Sequence, residues 1–106
     1  MAALPTPLVL PSDAPPQILA VQLSDPVFHS GETISGTVVT STNVQDVRVQ
    51  LEGHAGHIPQ TQPGIFALSY RLPPIPFFMR GTYTAQVIAT TAAGLSAERD
   101  VSVSVR

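Results

Sequence analysis

The chain has 106 residues, five Lys+Arg against seven Asp+Glu, and a formal net charge of -2. That length holds one domain with one modest core, and 43% apolar residues beside 11% charged ones exclude a disordered chain. The five basic residues are scattered arginines that make no patch for nucleic acid, and no run approaches the ~20 apolar residues of a membrane-inserted helix.

Residues 1–16 carry five of the eleven prolines (Pro5, Pro7, Pro11, Pro15 and Pro16). Proline lacks the backbone donor and restricts the residue before it, so this segment reads as an extended arm or linker. It has no basic n-region, and its apolar run is cut by Pro5, Pro7 and Pro11, so it does not read as a signal peptide. With no cysteine, disulfide and thiol chemistry are excluded. The compartment stays open between the cytoplasm and, for one domain of a longer exported protein, a bacterial surface.

From Gln17 to the end the sequence alternates, and residues 17–106 are taken as the folded domain. Leu19, Val21 and Leu23 share one face; Ser24-Asp25-Pro26 turns the chain into a short piece at Val27-Phe28-His29. After a turn at His29 to Glu32, Thr33 to Thr40 is predicted to be a strand with Ile34 and Val38 inward, and Gly36 leaves that face open to a close neighbour. Val44 to Glu52 is the clearest half-buried strand, with Val47, Val49 and Leu51 alternating with Arg48, Gln50 and Glu52. Residues 53–64, rich in glycine and proline and without period, are predicted to be a loop. Phe66, Leu68 and Tyr70 form the next inward face. Tyr83, Ala85, Val87 and Ala89 form another, Thr91 to Gly94 turns a hairpin, and Val101, Val103 and Val105 close the domain. Threonine and valine dominate these segments and suit a pleat. No window shows the 3.6-residue period of a helix, so about seven short strands in two packed antiparallel sheets are expected, an all-β fold without a disulfide.

Gly81-Thr-Tyr83-Thr-Ala85-Gln-Val87-Ile-Ala89 resembles the sixth strand of an immunoglobulin-like β-sandwich, which puts Tyr83 at the tyrosine corner. The family's cysteines would fall at Ala85 and near Gly36 or Val38, and no tryptophan is present, so the antibody type is excluded. A bacterial or fibronectin-type sandwich is what the resemblance implies. Thr90-Thr-Ala-Ala-Gly94-Leu95 lacks the carboxylate and amide that help hold calcium in some bacterial relatives, so no calcium site is implied. Pro26 to Val38, Val47 to Gly53, Gly64 to Leu68 and Leu72 to Pro76 also resemble the arrestin N-terminal sandwich. That likeness implies an intracellular adaptor that works by binding.

Candidate sites are few. Ile75, Phe77, Phe78 and Met79, with Arg80 beside them, fall where a connection between sheets runs over the surface. They either present an interaction patch of aromatics and arginine or fold under the sandwich and plug its open end. His54 and His57 supply two zinc ligands at most, where three or four are needed, and read as solvated loop histidines. No serine sits in a Gly-x-Ser-x-Gly elbow. The isolated carboxylates Asp25, Glu32 and Asp46 are expected in turns, satisfying backbone donors. The sequence therefore points to no catalytic residue, no metal and no cofactor, and to a binding, spacing or assembly module whose partner is another protein or a neighbouring domain. A sugar- or small-ligand-binding sandwich is disfavoured by the lack of tryptophan and by having two tyrosines.

Overall fold

The computed structural model describes residues 5–25, 27–51, 54–72, 74 and 80–106, with His54 by its backbone alone. These residues form nine strands and no helix: β1 (Ile18–Leu23), β2 (Val27–Phe28), β3 (Thr33–Thr40), β4 (Val44–Leu51), β5 (His54–His57), β6 (Gln60–Gln62), β7 (Ile65–Arg71), β8 (Gly81–Thr91) and β9 (Ser96–Val105). One sheet has the order β1-β3-β7-β6 and the other β2-β9-β8-β4-β5. Every pairing is antiparallel except β2 with β9, which is parallel. In immunoglobulin lettering the first sheet is A-B-E-D and the second contains G-F-C with C′ added at its edge. The fold is an all-β, immunoglobulin-like sandwich without a disulfide.

The two-residue rhythm places the core. Ile18, Val38 and Phe66 from one sheet meet Val44, Val47, Val87 and Ala89 from the other in a single cluster. A second cluster, Phe28 with Val103 and Val105, takes the half-buried Tyr83, Ile34 and Leu72 against it. Arg99 reaches across the sheets, its Nη2 donating to the Ile18 carbonyl at 2.8 Å.

Three local departures have identifiable causes. Leu19 is the extra residue of a bulge, because Ile18 pairs with Thr40 while Ala20 pairs with Val39. The bulge shifts the phase by one residue, so Ile18 enters the core where alternation alone would send Leu19. A second bulge at Gln45 does the same at the start of β4. Residues 53–64, expected as a loop, contain β5 and β6, short strands that pair on the outer edges of β4 and β7. Their glycine and glutamine content hides them from a search for apolar period, since edge strands of this kind bury little.

The proline-rich segment lies back along the sandwich. Leu8 bridges Ser41, the Thr42 amide donates to the Leu8 carbonyl at 2.8 Å, and the Leu10 amide donates to Thr42 Oγ1 at 3.2 Å. Asn43 Nδ2 donates to the Pro11 and Ala14 carbonyls at 3.2 and 2.8 Å. Buried Ser41 accepts the Gln17 amide on its Oγ at 2.9 Å. At the β6–β7 turn, Gly64 has φ +80°, and a Cβ there would lie 2.5 Å from Pro7 Cβ and 2.8 Å from the Thr40 carbonyl oxygen. Gly64→Ala is expected to cost about 1–3 kcal/mol of stability, since strained backbone and a close contact add. Urea denaturation of the two proteins measures it, and a difference within about 0.5 kcal/mol would mean that Pro7 is not seated there.

Candidate binding site

Along β7 the inward positions change character. Phe66 is 1% exposed, but Leu68 and Tyr70 on the same face are 38% and 54% exposed. The cause lies in the neighbouring strand. β6 pairs with β7 only at Ile65 and Phe66, and beyond the Ala67 amide, which donates to the Pro59 carbonyl, no described strand follows β7 on that side. The sheets therefore part between the end of β7 and the β4–β5 edge.

Behind this opening lies a cavity of about 620 Å³ between the sheets. Leu68, Tyr70 and His57 stand at its exposed side, Phe28 and Val105 at one end, and Val87 toward the main core. Its size follows from the sequence. Inward positions that could carry large side chains hold Gly36 on β3 and Ala85 on β8, both of which line the space. Val49 and Val101 flank Ala85 in the same sheet, facing Gly36, with no tryptophan or disulfide to fill the middle. Closed and dry, such a void would cost about 15 kcal/mol at about 24 cal/mol per Å³. That equals the whole stability of an ordinary domain, about 5–15 kcal/mol. The space must therefore be open to solvent or occupied.

Of the residues singled out in the sequence, Ile75, Phe77, Phe78 and Met79 lie outside the described residues. Arg80 is exposed at the start of the return into β8. Leu72, which leads into that segment, is half-buried, and its amide donates to the Glu32 carbonyl at 2.8 Å. It also lines the cavity. Tyr83 is half-buried in β8 opposite Val103 and packs on the second cluster.

The polar groups occupy other places. Asp25 Oδ1 accepts the Val27 amide at 2.9 Å, an Asx turn of the kind the sequence suggested. Asp46 is not in a turn. It sits in β4 and takes His57 Nδ1 at 2.9 Å and Arg48 Nε at 3.7 Å, which ties β5 to β4 by side chains. Glu32 Oε1 is buried and has no hydrogen-bond partner among the described residues, so that oxygen satisfies no backbone donor among them. His54 and His57 are the two ends of the same short strand β5. Among the described residues no three histidine or carboxylate side chains gather as a metal site.

Sequence reasoning missed the cavity and its exposed residues Leu68 and Tyr70. The available signal was a shortage of volume at inward positions: glycine and alanine at 36 and 85, valine at 49 and 101.

No protein-family model matches the chain, and no curated protein does. Among solved structures, that of murine CRIg is similar at 13% sequence identity, covering 82% of this chain and 97% of that one with a TM-score of 0.43. The immunoglobulin-like assignment rests on strand order and pairing.

The opening makes a gradient along one strand testable. Phe66→Ala should cost about 3–5 kcal/mol, as for other buried aromatics. Tyr70→Ala, half in solvent, should cost under about 1 kcal/mol. Chemical denaturation of both measures it, and equal losses would mean that the sheets close over Tyr70.

Proposed function

We propose that this domain is a non-catalytic binding, spacing or assembly module that docks another protein or a neighbouring domain through the segment 73–80. The reading takes it as one domain of a larger bacterial protein. What supports it is the setting of that segment. The residues that flank it in the chain are cavity-lining Leu72 and exposed Arg80, and Leu68 and Tyr70 on the preceding strand already meet solvent. Ile75, Phe77, Phe78 and Met79 supply the aromatic and flexible apolar side chains, and Arg80 the cation, that concentrate binding energy at protein interfaces. An arrestin-like adaptor would use the same segment, so the same variants bear on it.

Residues 1–16 are proposed as an arm distinct from the sandwich of 17–106. The support is that its hydrogen bonds to the sandwich run through its own backbone groups, to Thr42 and Asn43, while Val9 stays 80% exposed. Tyr83 is proposed as the tyrosine corner. Its hydroxyl then contributes about 0.5–1.5 kcal/mol, which Tyr83→Phe removes with the ring packing intact. Unchanged stability in that variant by urea denaturation would rule the corner out.

The docking role is tested with Phe77→Ser, Phe78→Ser and, separately, Arg80→Glu, used as baits beside the wild type. The expected result is loss of the wild type's captured partner with the denaturation midpoint kept. A large fall in midpoint with partner capture retained would make the segment a structural plug and remove the proposal.

A further inference from the structure

We propose that the space between the sheets is a binding site for a single flexible hydrocarbon chain, acyl or prenyl in type, entering past Leu68 and Tyr70. This does not rest on the protein-docking role of residues 73–80; it stands on the cavity alone.

Size and shape argue for this ligand class. A cavity of 150 Å³ holds a benzene ring, so about 620 Å³ is roughly four times that space. It falls within the range of about 300–1,000 Å³ typical of small-molecule sites. The space is also long. Its walls run from Tyr83 to Val87 on β8, from Val101 to Val105 on β9 and from Ile34 to Val38 on β3. Each stretch takes four residue steps, roughly 13 Å at strand rise, and the sheets stand about 10 Å apart. A slot of that form suits an extended chain better than a compact ring system.

Chemistry points the same way. Among the described residues the walls are mainly valine, isoleucine, leucine, phenylalanine and small residues, with Thr37 and Tyr83 beside them, and no carboxylate or arginine lines the space. Its polar side chains include His57 and Tyr70, both largely in solvent, with His57 already bonded to Asp46. A chain's apolar length would lie inside while its head group, of whatever charge, stays at the mouth. Sugar or nucleotide ligands would leave their hydroxyls unpaired against these walls. The cavity cannot stay dry, sealed and empty, so a chain would replace poorly bonded water and stabilise the folded state in proportion to its occupancy.

The probe is cis-parinaric acid, whose fluorescence rises on leaving water, titrated into the full chain with no other protein present. Saturable binding of one probe per chain is expected, together with a higher melting temperature. Palmitate and farnesol, added separately as competitors, distinguish an acyl from a prenyl preference, and displacement by either supports the site. Leu68→Asp and Tyr70→Asp change exposed positions and so keep the fold. Each places a charge at the mouth and should weaken the probe by about tenfold or more. Leu95→Asp, at the β8–β9 turn, should leave binding unchanged. Ala85→Leu fills the slot and should abolish binding without lowering the melting temperature. Absence of saturable binding by the wild type, binding indifferent to both mouth variants, or displacement by neither competitor would each overturn the site. None of these results would alter partner capture through Phe77 and Phe78, so the two proposals fail separately.

Discussion

Two sheets about 10 Å apart must have the gap between them filled, and this chain fills it unevenly. Where Phe66 reaches across to Val47 and Val87, the sandwich closes and its residues lose solvent almost completely. Where Gly36 and Ala85 stand instead, nothing described reaches across, and the same inward face of β7 comes to the surface two and four residues later. Other features of the molecule answer to this imbalance. In antibody domains a disulfide and a tryptophan pack the middle; here the corresponding volume is simply not in the sequence. The sandwich holds because its backbone pairing is extensive, with β8 meeting β9 over ten residue pairs and β3 meeting β7 over seven.

Main-chain and small polar contacts take over at the closed end. Thr40, Ser41 and Thr91 are buried, and each has its hydroxyl bonded: Thr40 to the Ser41 carbonyl, Ser41 from the Gln17 amide, Thr91 from the Leu95 amide. A buried hydroxyl without a partner would cost more than it contributes, so the placement of these three is as constrained as that of any core valine. The proline arm uses the same logic. Prolines offer carbonyls but no donors, and Asn43 supplies the donors from the sandwich side, reaching Pro11 and Ala14 with one amide nitrogen. Gly64 completes the seat because its missing side chain is the space that Pro7 uses.

Alternation of valine and threonine carried most of the fold. The bounds of β3 and the inward sets of β4 and β8 follow directly from period two, because both faces of those strands have well-defined neighbours. The reading failed where neighbours, rather than the strand itself, decide the outcome. Leu19 looks inward by count, but a bulge against β3 sends Ile18 in its place. Residues 54–57 and 60–62 have no apolar rhythm, yet a vacant sheet edge gives their backbone groups partners. Leu68 and Tyr70 keep the inward phase, and what exposes them is the shortness of β6, a feature of another segment. Nothing local to Asn43 indicates that its amide clasps a segment 29 to 32 residues away. The cavity depends on volumes summed across two sheets, which no window along one strand contains.

The uneven filling also divides the domain energetically. Residues around Phe66 and Val47 are out of water whether or not anything is bound, so their burial is present at all times. The cluster of Phe28, Val103 and Val105 borders the open space and is itself already out of water; the half-buried Leu23, Ile34, Leu51 and Val101 packed against it are the apolar walls that gain burial when something enters. Free energy available there is absent from the isolated domain and appears on occupancy, which is the condition for ligand-linked stability. An ordinary core mutation that filled the gap would stabilise the fold and remove that reserve together, as commonly happens when strained or open sites are repaired. Small residues at 36 and 85 thus leave the domain below the stability its sheet pairing could support, and leave an apolar surface whose burial depends on what enters.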